Sequence, residues 1–204
     1  MRYVYGFVIG IVLIIGGFLA YIYSGGFDVA ATRDNPGWID WIISTTREHS
    51  IEARVASVKV PADINLSDPA MVAEGAKHYK AMCEVCHLAP GQSDSETRAG
   101  LNPRPPNLPK IAQYIEPNEA FWIIKNGIRM TAMPAWGPTH SDQKIWAIVA
   151  FVKALPQIDA ARYRMLTAGA EEMEMHEHGN APAPTSMAMP ASLQKPATLS
   201  PPPE

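Results

Sequence analysis

The chain has only two cysteines in 204 residues, and they stand three positions apart with a histidine directly after the second: Cys83-Glu84-Val85-Cys86-His87. Spacing this tight is no general disulfide framework, so the two thiols belong to a site. A zinc half-site would call for a second Cys or His pair, and none stands near this one. A thioredoxin-like redox pair would call for a βαβ context, and the sequence is rich in helical patterns and poor in strands.

The remaining reading of C-x-x-C-H is covalent haem attachment. The thiols add to the two vinyl groups as thioethers, with the intervening pair setting their separation on a helical turn. His87 can then lie under the iron and give it an imidazole nitrogen as the proximal ligand.

Both ends of the chain lie outside any folded domain. Tyr3 to Tyr23 carries no charge and is long enough as a helix to cross a hydrocarbon layer of roughly 30 Å. A cleaved signal peptide is the alternative. The run outlasts a usual signal core, is flanked by Tyr3, Tyr5, Tyr21 and Tyr23 as interface aromatics, and lacks a convincing small-x-small site, all of which favour an uncleaved anchor. From about Ala168 onward Pro, Ala, Ser, Met and Glu dominate without an apolar period, which reads as disorder. The expected division is an anchor over 1–25, an interfacial helix and tether over 26–67, a haem domain over 68–166 and a disordered tail over 167–204.

Asn35-Pro36 reads as an N-cap with proline at the first helical position, and Trp38, Ile39, Trp41 and Ile42 follow at near-helical spacing. Two partners fit this short helix, the membrane surface and the haem domain, because an amphipathic stretch does not name what it packs on. Ser57 to Leu66, with Pro61, reads as an extended tether. In the tail, Met173, Met175, His176, His178, Met187 and Met189 are soft copper ligands. Glu171, Glu172, Glu174 and Glu177 make an inert acidic tether the alternative.

A haem iron that shuttles electrons without binding substrate needs a second protein ligand. Met133, in Gly127-Ile128-Arg129-Met130-Thr131-Ala132-Met133-Pro134-Ala135-Trp136-Gly137, is the candidate: a helix ends at the glycine and an extended loop, stiffened by Pro134, carries the thioether. Trp136 of this loop joins the expected haem contacts. Met130 is the main rival. Met82 adjoins the attachment cysteine, and His140 lies beyond Pro134 and Pro138.

From about Pro69 to Pro156 this order of motifs resembles the class I c-type cytochromes, in membrane-anchored, monohaem form. In that family a first helix with a glycine and an aromatic residue leads into C-x-x-C-H and crosses a C-terminal helix. Gly75 and Tyr79 match the first face, and Ile148 and Phe151, in a helix from Ser141 to Leu155, match the second. The resemblance implies an all-α, cytochrome c-like helical haem domain. It also implies that the carbonyl of Pro105 or Pro106, in the proline-rich loop 102–108, accepts the other ring N–H of His87, and that Leu108 covers the haem edge. Leu88-Ala89-Pro90-Gly91 and a polar insertion through Gly100 depart from the glycine-rich turn of familiar members.

The implied function is single-electron transfer through one covalently attached haem c, with iron ligands His87 and Met133 and no substrate chemistry. The expected location is the periplasmic side of a bacterial inner membrane, since haem attachment occurs outside the cytoplasm. Redox partner proteins follow: a membrane dehydrogenase or quinol-oxidising complex as donor, and a terminal oxidase or reductase as acceptor. A haem sensor or haem enzyme with a displaceable distal ligand is the alternative, and a subunit of a larger complex a third possibility. The net charge of -3 and mixed signs leave no basic stripe for nucleic acid.

Overall fold

The computed structural model describes residues 1–168, which are helical with no strand among them. The Met/His tail considered for copper lies outside the described residues. Helix α1 (Arg2–Tyr23) has 22 residues, about 33 Å at 1.5 Å each, and none of its side chains is buried. It is long and apolar enough to cross a membrane.

Helix α2 (Gly37–Val55) begins one residue later than the sequence suggests, with Pro36 as N-cap. Asn35 donates to Asp40 Oδ1 at 2.9 Å instead of capping the turn. At 19 residues it is also no short helix. Trp38 and Trp41 are 65% and 67% exposed, so they do not pack on the haem domain. Trp38 instead borders a shallow groove with Phe18, Tyr21 and Ile22 from the end of α1. The other end of α2 meets the helical domain, where Asn118 donates to the Val55 carbonyl at 3.4 Å.

The stretch after α2 is not an extended tether. Val58 N–H bonds to Val55 and Ile64 N–H to Pro61, and Val58, Ile64 and Leu66 pack on the core. Removing three apolar side chains from water outweighs the freedom of a loose link.

Helix α3 (Pro69–Met82) starts at Asp68, whose carboxylate accepts from Ala70 N–H, with proline in the first turn. Helix α8 (Asp142–Ala154) starts at Ser141, which caps Lys144 N–H. The two cross at Gly75: a Cβ there would overlap the Ala147 carbonyl oxygen and come within 2.9 Å of Phe151 Cβ. Only glycine allows this approach. Helix α7 (Pro117–Asn126) packs against α8 through Phe121 stacked on Trp146, centroids 4.2 Å apart.

Short helices α4 (Glu84–His87), α5 (Glu96–Ala99) and α6 (Leu108–Ile111) shape the loops between. A last helix, α9 (Ala160–Leu166), was not foreseen. Asp159 caps it, and its Tyr163 is 4% exposed against Tyr79 and Phe151. Capping residue, tyrosine and Leu166 in one turn-spaced set were the available signal.

Candidate haem site

The attachment motif is carried by the end of α3 and by α4. The Cys83 N–H still bonds to Tyr79 in α3, while its carbonyl receives the Cys86 and His87 N–H groups. One kinked turn therefore holds both thiols and the imidazole. Leu88 then reverses the chain at φ +70°, a left-handed position unusual for a branched residue. It is held there because its side chain is fully buried and its carbonyl accepts from the Tyr79 hydroxyl at 2.7 Å. Burial, and the nearby Cys83 and Glu84, push the Tyr79 hydroxyl well above its ordinary range, so it stays a donor.

Burial first, and then Cys86, push the Cys83 thiol up to about 12, so that sulfur rests neutral. Among the described residues no three His, Cys, Asp or Glu side chains converge as a metal cage. Among the described residues the zinc alternative finds no ligand set and the redox-pair alternative no strands.

His87 Nδ1 lies 3.0 Å from the Pro106 carbonyl oxygen. Of the two carbonyls the sequence singled out, that of Pro105 instead accepts from Arg98 Nε at 2.9 Å. With Nδ1–H donated to Pro106, the imidazole presents Nε2 as its free lone pair. Burial holds His87 below its ordinary value, aided by the Arg98 charge and opposed by the Pro106 bond, so the ring is neutral as a ligand must be.

The polar insertion supports this loop. Ser95 caps α5 and donates to the Val85 carbonyl at 2.6 Å, joining the insertion to the attachment turn. Asp94 binds both Arg98 and Arg104. The Arg98 hydrogen bond is the main cause holding its carboxyl below the usual range. The sequence shows this stretch only as a departure, because Ser95, Arg98 and Asp94 reach Val85, Pro105 and Arg104 across the loop, beyond the local Asp94–Arg98 pair.

The Met133 loop is pinned to the end of α7. Carbonyls of Ile124 and Lys125, left without helical partners, accept from Trp136 and Gly137 N–H at 3.1 and 2.9 Å. The Met133 carbonyl accepts from Ile128 N–H at 3.1 Å. Gly127 makes the fold-back possible: its φ is +65°, and a Cβ would stand 2.8 Å from the Met133 oxygen and 2.7 Å from Ala135 N. Within this loop Met130 is 84% exposed, whereas Met133 packs on the core.

All three segments open onto one largely apolar cavity of about 920 Å³, near the upper end of the roughly 300–1,000 Å³ typical of ligand pockets. Cys83, Cys86 and His87 line it from the attachment turn, Pro105, Pro106 and Leu108 from the proline loop, and Met133 and Trp136 from the α7 loop. Met82 lines it too, while Met130 and His140 do not. The donor set, two thiols, one neutral imidazole and one thioether around an apolar space, fits a haem. His140 instead stands edge-on to His78 and Trp136 behind this wall.

Residues 70–152 match the family model described as cytochrome c oxidase, cbb3-type, subunit III. The match supports a c-type cytochrome domain in this part of the chain, a kind of domain that is typically an electron-transfer module and implies haem c. No curated protein matches the chain.

Proposed function

We propose that the chain is a membrane-anchored carrier of single electrons, in which one haem is attached through Cys83 and Cys86 and its iron is held by His87 and Met133. The observation that carries this reading is the convergence of those four side chains on one apolar cavity. The haem would supply reversible one-electron iron chemistry; the protein supplies orientation, exclusion of water and a soft sulfur that favours the ferrous state. Pro106 keeps the His87 ring turned with Nε2 inward. The loop from Gly127 to Gly137 holds Met133 in place through backbone bonds to α7.

In this reading residues 1–25 anchor the chain in a bacterial inner membrane, 26–67 connect, and 68–166 form the haem domain in the periplasm, where c-type haem is attached. Its partners are a membrane dehydrogenase or quinol-oxidising complex as donor and a terminal oxidase or reductase as acceptor. Two protein ligands leave the iron no open position, which separates a carrier from a haem sensor or enzyme. The test is to express the chain in cells that mature c-type cytochromes and record its spectrum with and without carbon monoxide. A covalently bound haem whose ferrous form ignores carbon monoxide is expected. Ready carbon monoxide binding would replace the carrier with the sensor or enzyme reading.

A further inference from the structure

Helix α2 lies wholly upstream of the cytochrome domain match, which begins at residue 70. Yet one of its faces borders the same cavity as the attachment motif: Arg47, Ile51 and Val55, together with Glu48 and Glu52, line it. Arg47, Ile51 and Val55 follow at steps of four, one stripe of the helix, and each is partly buried while their neighbours His49, Ala53 and Arg54 are exposed. The stripe is held over the cavity by the Asn118 bond to Val55 and by packing of Val58, just beyond, on the core.

We propose that α2 is a wall of the haem pocket, with Ile51 and Val55 covering a haem edge and Arg47 facing a haem carboxylate as a positioning residue. The inference rests on the haem reading above. A haem is apolar except at its two carboxylates, so a pocket wall needs apolar cover over most of the edge and a cation where the carboxylates emerge. The stripe has that composition. Of the two arginines on the cavity, Arg104 is engaged by Asp94. Among the described residues Arg47 has only a long contact of 3.6 Å to its neighbour Glu48, and it is two-thirds buried, which leaves its fork of donors for a carboxylate. The segment that joins membrane helix to domain is therefore also part of the cofactor site.

The experiment uses the full-length chain in detergent, with haem content read from its absorbance and the midpoint potential from a redox titration. Arg47→Gln removes a positive charge facing a haem carboxylate and should lower the potential by roughly a tenfold change in the equilibrium constant, about 59 mV for one electron. Arg47→Lys should restore most of that shift, which loss of helix packing would not predict. Ile51→Glu, which admits water and a negative charge, should shift the potential the same way. Parental potentials in both Arg47→Gln and Ile51→Glu, at parental haem content, would overturn the proposal while leaving the cytochrome reading intact. A parent chain without covalent haem would overturn that reading and this one with it.

Discussion

The two sides of the cavity are built by different means. On the His87 side, five consecutive residues carry the thiols and the imidazole, and side chains do the bracing: Arg98 holds the Pro105 carbonyl, Ser95 reaches the Val85 carbonyl, and the Tyr79 hydroxyl secures Leu88. On the Met133 side a single thioether is carried by a loop held mainly by backbone bonds to the end of α7, with the Thr131 hydroxyl as the one local side-chain brace we find among the described residues. A side-chain brace fails piecemeal when one residue changes. A backbone clasp depends on one conformation and fails as a unit.

The largest effect should come from His87→Ala. Without the imidazole or normal haem attachment, a small domain loses a large part of its interior, and binding energy that stabilised the native state goes with it. Expected is loss of normal covalent haem and of the cooperative melting transition, followed by circular dichroism. A haem-free domain with the parental transition would break the comparison, because the His87 side would then not depend on its cofactor.

Met133→Ala should be milder and of another kind. Haem stays attached, the potential falls because ferrous iron loses its soft ligand, and the ferrous protein takes up carbon monoxide. Met130→Leu should change neither property, since that side chain points into solvent at 84% exposure. If Met130→Leu alone removed the far-red sulfur-to-iron band, the ligand assignment would be wrong.

Gly127→Ala tests the clasp. An alanine would be forced into a conformation at φ +65° and ψ -174° that is essentially reserved for glycine, within 2.8 Å of the Met133 carbonyl. A cost of about 1–3 kcal/mol is expected from the backbone alone, read by chemical denaturation, together with partial carbon monoxide binding as the loop releases Met133. Loss of stability with no gain in carbon monoxide binding would mean that loop and ligand are held separately.

A small effect, confined to stability, is expected of Arg98→Gln. It removes a charged donor to the Pro105 carbonyl, a modest loss of stability, and the lost pairing with solvent-open Asp94 adds little to it. Haem should remain attached and carbon monoxide excluded. Complete loss of haem here would show that the insertion is a primary part of the site.

What the sequence made legible was local. The Cys83–His87 turn, the Ser141 cap and the glycine at the α3–α8 crossing each announce themselves within a few residues, because spacing and capping chemistry are local properties. The choice between Pro105 and Pro106 was not legible, because it turns on which carbonyl Arg98 claims from across the insertion. Nor was the role of α2: its half-polar stripe looks the same whether it faces water, lipid or a cofactor. Leu88 at positive φ was also hidden, since nothing in its side chain favours that turn, and burial together with the Tyr79 hydroxyl bond to its carbonyl secures it.

The link between α1 and α2 runs from residue 24 to residue 36. Thirteen residues reach at most roughly 45 Å when fully stretched, and part of that length is already committed, since the Arg33 carbonyl accepts from Asn102 in the domain at 2.8 Å. With α1 in a bilayer, as proposed, the domain would graze on a short leash. So tethered, it would meet other molecules by sliding in a plane, not by wandering through a volume, and its traffic would be set by how membrane neighbours are spaced and how tall they stand. A donor whose electron exits far above the lipid would be out of reach however well its surface matched.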